Sequence, residues 1–149
     1  NYNLNIIGNG KNKKKILNQI KNLKLNKRVK LLGKANDKLK EKYLKKSSIF
    51  LMCSTSRAES FGISILEAIS NSLPIILSEV KGSGMNDMII NKFNGYKFKN
   101  FSSGDCAKQI IKIGKNKKKL NLFSKNSLKL FNKKFNKNKI EKKLDKIYN

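Results

Sequence analysis

The sequence contains no histidine and no tryptophan, a single proline and only two arginines. Without histidine, the chain has no histidine-based catalytic triad, no histidine general base and no histidine-ligated zinc site. Its two cysteines, Cys53 and Cys106, form neither a disulfide framework nor a CxxC pair, which is typical of a reducing compartment. No apolar run approaches the roughly 18 residues of a membrane span, and no signal peptide opens the chain. We therefore expect a soluble, cytoplasmic domain.

Acidic residues are also scarce, since 9 Asp and Glu oppose 35 Lys and Arg and the formal net charge is +26. The excess lies in the flanks: residues 1–46 carry +13 and residues 97–149 carry +14, whereas residues 47–96 carry −1. A basic nucleic-acid-binding module is one alternative, but such modules favour arginine and exposed aromatic residues. Solvated lysine-rich faces, or peripheral contact with an anionic membrane, explain the flanks better. Chemistry is expected in the neutral middle.

The apolar pattern predicts the fold class. Short apolar runs, typical of strands, alternate with segments whose apolar residues recur at helical spacing. Strands are predicted at 4–7, 29–32, 49–52, 75–77 and 96–98, and helices at 12–24, 37–46, 63–71 and from 107 onward. Alternation with short connections predicts an α/β fold, a doubly wound parallel sheet of the Rossmann-like kind. We expect one domain over residues 1–149, with residues 105–149 as its helical tail.

In such sheets ligands bind at the carboxyl ends of strands, where glycine turns and helix N-termini meet. The first turn of this kind is Gly8-Asn9-Gly10, after the first predicted strand. It is only G-x-G, because Lys13 stands where a third glycine would complete the dinucleotide fingerprint, and no acidic residue follows about 20 positions later. The sequence therefore disfavours a NAD site, and this turn taken alone indicates only a tight connection.

The segment R-A-E-S-F-G-I-S-I-L-E-A, which follows the third predicted strand, is more informative. Glu59 precedes the predicted helix, and Glu67 lies within it between apolar neighbours, where an ionised side chain needs a partner. The backbone N–H groups of Phe61, Gly62 and Ile63 point out of the helix start and form an anion site suited to phosphate. The purely structural alternative is a charge at the helix start and a buried ion pair.

These residues resemble the Glu-x7-Glu motif of retaining glycosyltransferases with the GT-B fold, glycosyltransferase family 4 (group 1) in particular. Neighbouring segments resemble that family in the same order: L-N-I-I-G-N-G, K-R-V-K-L-L-G, S-S-I-F-L-M-C-S, N-S-L-P-I-I-L-S, K-G-S-G and F-N-G-Y-K-F. The resemblance covers about residues 4–100. It implies the C-terminal, donor-binding half of a GT-B enzyme. We expect this half to lack its first strand and helix as well as the N-terminal acceptor-binding domain.

The resemblance also implies roles for the residues around the motif. Glu59, as the catalytic residue, would contact donor-sugar hydroxyls near the anomeric carbon, and Glu67 would hold the ribose hydroxyls. The N–H groups of Phe61, Gly62 and Ile63 would bind the sugar and the diphosphate.

Two further turns are assigned by the same resemblance. Gly8 and Gly10 would let the backbone approach the donor phosphates closely, and Lys34 would meet the base. The sequence departs from the family pattern at Asn86 and Asp87, which stand where one acidic residue is usual.

The implied function is the transfer of a hexose from a nucleotide diphosphate sugar, with retention, to a glycan, a lipid-linked glycan or lipopolysaccharide. No cofactor and no metal are expected, because a helix N-terminus and basic groups stabilise the leaving diphosphate. The expected partners are the donor, the acceptor, the N-terminal GT-B domain and, peripherally at the inner face, an anionic membrane, but no specific nucleic acid. An epimerase-like GT-B domain that uses a nucleotide sugar is an alternative, since the glutamate pair alone does not exclude it. The isolated chain is expected to be inactive.

Overall fold

The computed structural model describes residues 2–57 and 62–135 and, beyond them, residues 141, 145, 147 and 148. The chain divides into two compact units, residues 1–46 and residues 47–149, and the paired strands in each are parallel. Parallel strands that alternate with helices confirm the predicted α/β, Rossmann-like fold class. The strands lie in a two-stranded and a three-stranded sheet, whereas the sequence predicts a single sheet.

The first unit consists of β1 (Leu4–Ile7), α1 (Lys13–Asn22), β2 (Val29–Gly33) and α2 (Asp37–Lys46). Leu4 pairs with Val29 at the start of the sheet, and the register shifts between Ile6 and Ile7. The side chain of Ile20 on α1 is buried. Most other residues of this unit are exposed or half-buried, which suits its many lysines.

The start of α2 is fixed by the side chain of the residue that precedes the helix. Asp37 is the first helical residue, as expected, but the N-cap hydrogen bond comes from the residue before it. The Oδ1 atom of Asn36 accepts a hydrogen bond from the Leu39 N–H at 2.9 Å. Asp37 instead lies in the first turn, where its carboxylate is 3.2 Å from the Lys40 ammonium group and has a favourable interaction with the helix dipole.

The second unit consists of β3 (Phe50–Met52), α3 (Ile63–Ser70), β4 (Ile75–Glu79), β5 (Gly95–Lys99), α4 (Ser103–Gly114) and α5 (Lys117–Lys134). A 3-10 helix (Gly84–Met88) lies between β4 and β5. The strand order is β3-β4-β5, so β4 is central. Ile75, Ile76 and Leu77 of β4 are completely buried, as its unbroken apolar run predicts.

Helices complete this core. The buried stripe of α3 is formed by Ile65, Ala68 and Ile69, at the i, i+3, i+4 spacing of a helix that packs on one side. Helix α5 is attached to the strand layer by a buried hydrogen bond from the Ser127 hydroxyl to the Leu73 carbonyl, at 2.7 Å. Up to residue 135, the predicted helical tail consists of α4 and α5, of which the first begins at Ser103. The predicted apolar positions Ile140 and Leu144 lie outside the described residues. Nowhere in the described part is a helix both long and apolar enough to cross a membrane.

The turn into β5 leaves no room for a side chain. Asn94 is fully buried, and its amide accepts a hydrogen bond from the Ile90 N–H at 2.8 Å and donates one to the Met88 carbonyl at 3.2 Å. These bonds fix the next residue, Gly95, directly against β4. A Cβ atom at Gly95 would lie 1.9 Å from the backbone oxygen of Ile75. The predicted Asn-Gly turn therefore sets the distance between the two strands.

We expect Gly95→Ala to lower the free energy of unfolding by about 3 kcal/mol, because the new methyl group overlaps backbone atoms that cannot move without separating β4 from β5. Equilibrium urea unfolding of the two proteins measures the difference. The matched control is Gly104→Ala in α4, where a Cβ atom meets nothing within 4 Å. That change should raise the stability by about 0.5–1 kcal/mol through helix propensity. Equal midpoints for Gly95→Ala and the unchanged chain would contradict the steric argument.

Candidate donor-binding site

The loops that follow β3, β4 and β5 lie at the carboxyl edge of the three-stranded sheet, where ligands of such sheets bind. The loop after β3 leads to the Glu-x7-Glu segment, and its first residues are held by one side chain of β4 and by one that follows β5. The Ser78 hydroxyl of β4 donates a hydrogen bond to the Ser54 carbonyl. The Asn100 amide, just beyond β5, donates one to the Thr55 carbonyl at 3.2 Å. The entry to the motif is therefore fixed from two sides.

Arg57 connects the loop after β3 to the loop after β4. Its Nε atom donates a hydrogen bond to the Lys81 carbonyl at 3.1 Å. Its guanidinium also lies against Gly82, where a Cβ atom would be 3.1 Å from Cζ. Gly82 has a φ of +72°, so both the backbone conformation and the close approach of the arginine favour glycine here.

Gly62 forms the start of α3. It is buried, its φ and ψ of 76° and 54° are left-handed, and no side chain caps the helix at this residue. A Cβ atom at Gly62 would lie 2.9 Å from Ile65 Cδ1 and 3.2 Å from Met85 Cγ, so this turn packs tightly against the 3-10 helix. The Gly62 carbonyl accepts the hydrogen bond from Ile65 N–H at 2.8 Å. The N–H groups of Ile63 and Ser64 precede that first helical bond and are directed out of the helix start, as an anion site requires.

Glu67 lies one turn further along α3. The apolar sequence neighbours of Glu67 predict that its side chain is buried, but the residue is half-buried. The reason is that the buried side of the helix contains Ala68 and not Glu67. The Glu67 carbonyl accepts hydrogen bonds from the Ser70 hydroxyl at 2.8 Å and the Asn71 amide at 2.9 Å, which close the end of the helix. Glu67 therefore lies on a short helix whose last turn is closed by two hydrogen bonds to its own backbone carbonyl.

The other two residues assigned to this segment, Glu59 and Phe61, lie outside the described residues. Their assigned roles remain predictions. The structure does place the residues on either side, because Arg57 is fixed at the end of the loop and Gly62 at the start of the helix.

The 3-10 helix adds a polar group that the sequence analysis leaves unassigned. The Asn86 amide donates hydrogen bonds to the Val80 carbonyl at 2.7 Å and to the Ser83 carbonyl at 3.2 Å. Its Oδ1 atom is buried and has no hydrogen-bond partner within the part of the chain that the structure describes. Asp87, the other candidate for the family's acidic position, is exposed. Of these two residues, Asn86 therefore has a structural role, because its side chain fixes the backbone of the loop that follows β4.

In the first unit the structure brings two of the predicted turns together. The Gly8 N–H donates a hydrogen bond to the Gly33 carbonyl at 2.8 Å, which joins the carboxyl ends of β1 and β2. Gly8 and Gly33 have φ values of +143° and +72°, and Cβ atoms at Gly8, Gly10 or Gly33 would meet nothing within 4 Å. Lys34, next to Gly33, is exposed. The backbone at Gly8, Gly10 and Gly33 is therefore open to close approach by a ligand.

Sequence reasoning missed the residues that position the loops. Ser78 is 2% exposed, and a lone hydroxyl in the apolar strand I-I-L-S-E is a signal that could have marked it, because buried polar groups need partners. Asn86 and Asn100 carry no such signal. They are two among many asparagines, and only the fold shows which carbonyl groups they reach.

The two thiols, far apart in the sequence, are neighbours at this edge. Cys53 follows β3, and its side chain and that of Cys106 on α4 form a hydrogen bond. Desolvation, followed by the charge of Cys106 and this hydrogen bond, raises the pKa of Cys53 to about 11, although the residue as a whole is exposed. Desolvation also raises the pKa of the buried Cys106 thiol. Both groups are therefore protonated at neutral pH, which makes them poor nucleophiles.

Comparison with known proteins identifies the family. The profile described as glycosyl transferases group 1 matches residues 1–130, most of the chain and every element from β1 to the larger part of α5. The chain belongs to the glycosyl transferase group 1 family. The resemblance drawn from the Glu-x7-Glu segment and its neighbours is confirmed at that level.

Two curated relatives of this group 1 chain are similar to it over almost all of its length. An uncharacterized glycosyltransferase of Methanocaldococcus jannaschii is 29% identical over 147 residues, which are 99% of this chain and 40% of that protein. The poly(glycerol-phosphate) alpha-glucosyltransferase of Bacillus subtilis is 30% identical over 138 residues, 93% of this chain and 20% of that protein. The group 1 chain thus spans less than half the length of each relative.

A solved structure shares the fold of this group 1 chain. The Anabaena protein HepE, in complex with UDP, superposes with a TM-score of 0.85 and 21% identity, over 99% of this chain and 40% of that one. At this identity the likeness shows the fold alone. It confirms that the parallel strands and helices have the arrangement of a GT-B C-terminal, Rossmann-like domain.

We expect Cys53 to react with iodoacetamide at pH 8 about 10- to 100-fold more slowly than free cysteine, because a pKa near 11 leaves very little thiolate. The rate should rise through an inflection near pH 11, and peptide mass spectrometry assigns the modified residue. In Cys106→Ala, which removes the neighbouring sulfur, the inflection should move to lower pH. An inflection near pH 8.5 in the unchanged chain would contradict the desolvation of this thiol.

Proposed function

We propose that this chain is the donor-binding part of a retaining glycosyltransferase of family 4, which transfers a hexose from a nucleotide diphosphate sugar. The acceptor would be a glycan, a lipid-linked glycan or lipopolysaccharide. The observation that carries the proposal is the start of α3, where the left-handed Gly62 places the first N–H groups of the helix at the carboxyl edge of a parallel sheet. Family membership supports the same conclusion, since the match includes this whole segment.

The helix start has the chemistry of a diphosphate site. The N–H groups of Ile63 and Ser64, together with the positive end of the helix dipole, favour a negatively charged ligand. Because a side chain at the left-handed Gly62 would collide with Ile65 and Met85, the turn keeps this conformation only as long as glycine is kept. When the sugar departs, the negative charge grows on the diphosphate, and fixed donors of this kind contribute about 10²–10³ in rate each. We propose that these groups perform this task without a metal ion.

The two glutamates would bind the two ends of the donor. Glu67 is half-buried on a helix whose end is closed by Ser70 and Asn71, so the backbone that carries its side chain is fixed. We assign to it the ribose hydroxyls, to which a carboxylate accepts charge-assisted hydrogen bonds. Glu59 would contact the sugar near the anomeric carbon. Retention is proposed from the family resemblance, and the name of the B. subtilis relative, an alpha-glucosyltransferase, is compatible with it.

Donor binding is also proposed for the turns of the first unit. Gly8 and Gly10 offer a backbone that no side chain obstructs, and Lys34 lies in the exposed turn after β2. A main-chain contact to the base at Lys34 and a close approach of phosphate at Gly8 would use these features. The crystallised Anabaena protein contains UDP, which makes uridine diphosphate the first nucleotide to test.

The remaining partners follow from the length of the relatives. Since the chain spans 40% and 20% of the two curated relatives, we propose that an N-terminal GT-B domain holds the acceptor and closes over the donor. The cysteines, which are free thiols, suit a reducing compartment, and we propose that the enzyme acts in the cytoplasm.

Glu67→Ala should weaken the binding of uridine diphosphate about 10- to 100-fold, because it removes charge-assisted hydrogen bonds worth about 1.5–3 kcal/mol. Isothermal titration of the chain with uridine and guanosine diphosphates provides the measurement and identifies the preferred base. The control is Glu41→Ala on α2, whose carboxylate is 2.6 Å from the Lys45 ammonium on an exposed surface. The control should bind like the unchanged chain. An unchanged affinity in Glu67→Ala would rule out the ribose assignment.

We expect residues 1–149 alone to transfer no sugar, because the acceptor must be held within attack distance of the anomeric carbon. Fusion to the amino-terminal part of the M. jannaschii relative should restore transfer of radiolabelled glucose from UDP-glucose to membrane acceptors. In the active fusion, Glu59→Gln should reduce turnover at least about 100-fold while nucleotide affinity is largely kept. Robust turnover by the chain alone would contradict the proposal that a separate N-terminal domain must hold the acceptor.

A further inference from the structure

One side of α5 is exposed along the full length of the helix, and we call it the α5 face. Its residues are Lys117, Lys118, Asn121, Leu122, Lys125, Leu128, Lys129, Asn132 and Lys133. On the opposite side Phe123, Ser127 and Leu130 are buried in the core of the second unit. An 18-residue helix is about 27 Å long, so the α5 face is a strip of about this length.

The charge of this strip is uncompensated within the helix. The segment from 117 to 134 contains seven lysines and no acidic residue. Two of the seven have partners elsewhere, since Lys119 lies 6.0 Å from the centre of the Tyr96 ring and Lys134 donates a hydrogen bond to the Asp87 carbonyl at 3.4 Å. The other five belong to the α5 face and are exposed.

On helix α2, in contrast, lysines of the solvated surface form ion pairs with carboxylates of the same helix. There Lys40 lies 3.2 Å from the Asp37 carboxylate and Lys45 lies 2.6 Å from that of Glu41, at the i,i+3 and i,i+4 spacings that stabilise a helix. The α5 face has no such pairs. Like charges on one helix face repel one another, and an external anionic partner would relieve this repulsion.

Exposed leucines distinguish the α5 face from a merely basic helix. Leu122 is 55% exposed and Leu128 is 40% exposed, although helical periodicity alone would include Leu128 among the apolar core positions. At 100° per residue they lie about 60° to either side of Lys125. Lys118, Lys125 and Lys129 thus lie between the two leucines, whereas Lys117 and Lys133 lie about 80° from Lys125, just outside them.

The C-terminal half of this strip borders a shallow, open depression of about 550 Å³. Its lining residues in the described part of the chain all belong to α5: Lys125, Leu128, Lys129, Asn132 and Lys133. Three ammonium groups, one amide and one leucine therefore lie along one side of an open surface that an anionic headgroup can reach. This combination has donors for phosphate oxygens and an apolar contact for the adjoining chain.

We propose that the α5 face binds the surface of a bilayer rich in anionic phospholipid, with the lysines against the headgroups and the two leucines at the level of the glycerol and upper acyl carbons. Duplex nucleic acid is the weaker fit, because the strip lacks arginine and an aromatic platform and carries leucines that phosphates would not contact. The proposal does not depend on donor binding, since it rests on residues of α5 alone.

Vesicle sedimentation of the full 149-residue chain tests the proposal. With vesicles of equal parts phosphatidylcholine and phosphatidylglycerol, the chain should sediment at low and moderate salt, whereas phosphatidylcholine alone should leave it in solution. Each lysine near an anionic surface contributes about five-fold to affinity, so Lys125→Ala/Lys129→Ala should weaken binding about 20- to 30-fold. Leu122→Asn/Leu128→Asn should weaken it several-fold at a salt concentration where the lysines are largely screened.

The matched control is Lys14→Ala/Lys15→Ala on α1, which removes the same charge from two exposed lysines outside the α5 face. It should change the affinity less than about three-fold. Alanine favours helix at all four lysine positions, so far-UV circular dichroism should be unchanged in both double variants. Equal losses in the α1 and α5 variants would overturn the proposal, because total charge would then explain binding. Tighter binding to duplex DNA than to the anionic vesicles at physiological salt would overturn it as well.

Discussion

Strand β4 is the element on which the second unit depends, because it pairs with β3 and β5 and is buried along its apolar run. Its distance from β5 is set by Gly95, where no Cβ atom fits. At its other end the Ser78 hydroxyl fixes the Ser54 carbonyl and so directs the loop that leads to α3. The position of the candidate anion site at Gly62 thus depends on β4, although the site is formed by the start of α3 and not by this strand.

Elements with a strong internal pattern were predictable from the sequence. Predicted and observed bounds agree for α2, and the strands differ by no more than two residues at either end. The burial of Glu67 was not predicted correctly, because apolar sequence neighbours were given more weight than helical period. The i, i+3, i+4 stripe of Ile65, Ala68 and Ile69 leaves Glu67 off the buried side, and this is visible in the sequence once the start of α3 is known.

The arrangement of the loops could not be predicted, for a physical reason. The hydrogen bond from Asn100 to Thr55, for example, joins two loops that follow different strands. The sequence around a loop asparagine is the same whether its side chain binds another loop or faces solvent. The resemblance to a family supplied the roles of the turns, but not the contacts that hold them in place. The role of the lysines was predictable only in part. The sequence shows acidic residues beside the lysines of α2 and none within α5, but which side of α5 is exposed is known only from the structure.

The buried hydrogen bond from Ser127 to the Leu73 carbonyl has a consequence for how the second unit folds. It joins positions 54 residues apart, and it attaches the last long helix to the residue that leads into the central strand. Until residue 127 is available, the Leu73 carbonyl lacks this partner, and α3 lacks the helix that packs against it. Closure of so long a loop is slow compared with forming a local helix. During synthesis, the strands around β4 would therefore remain incompletely covered until residue 127 has left the ribosome.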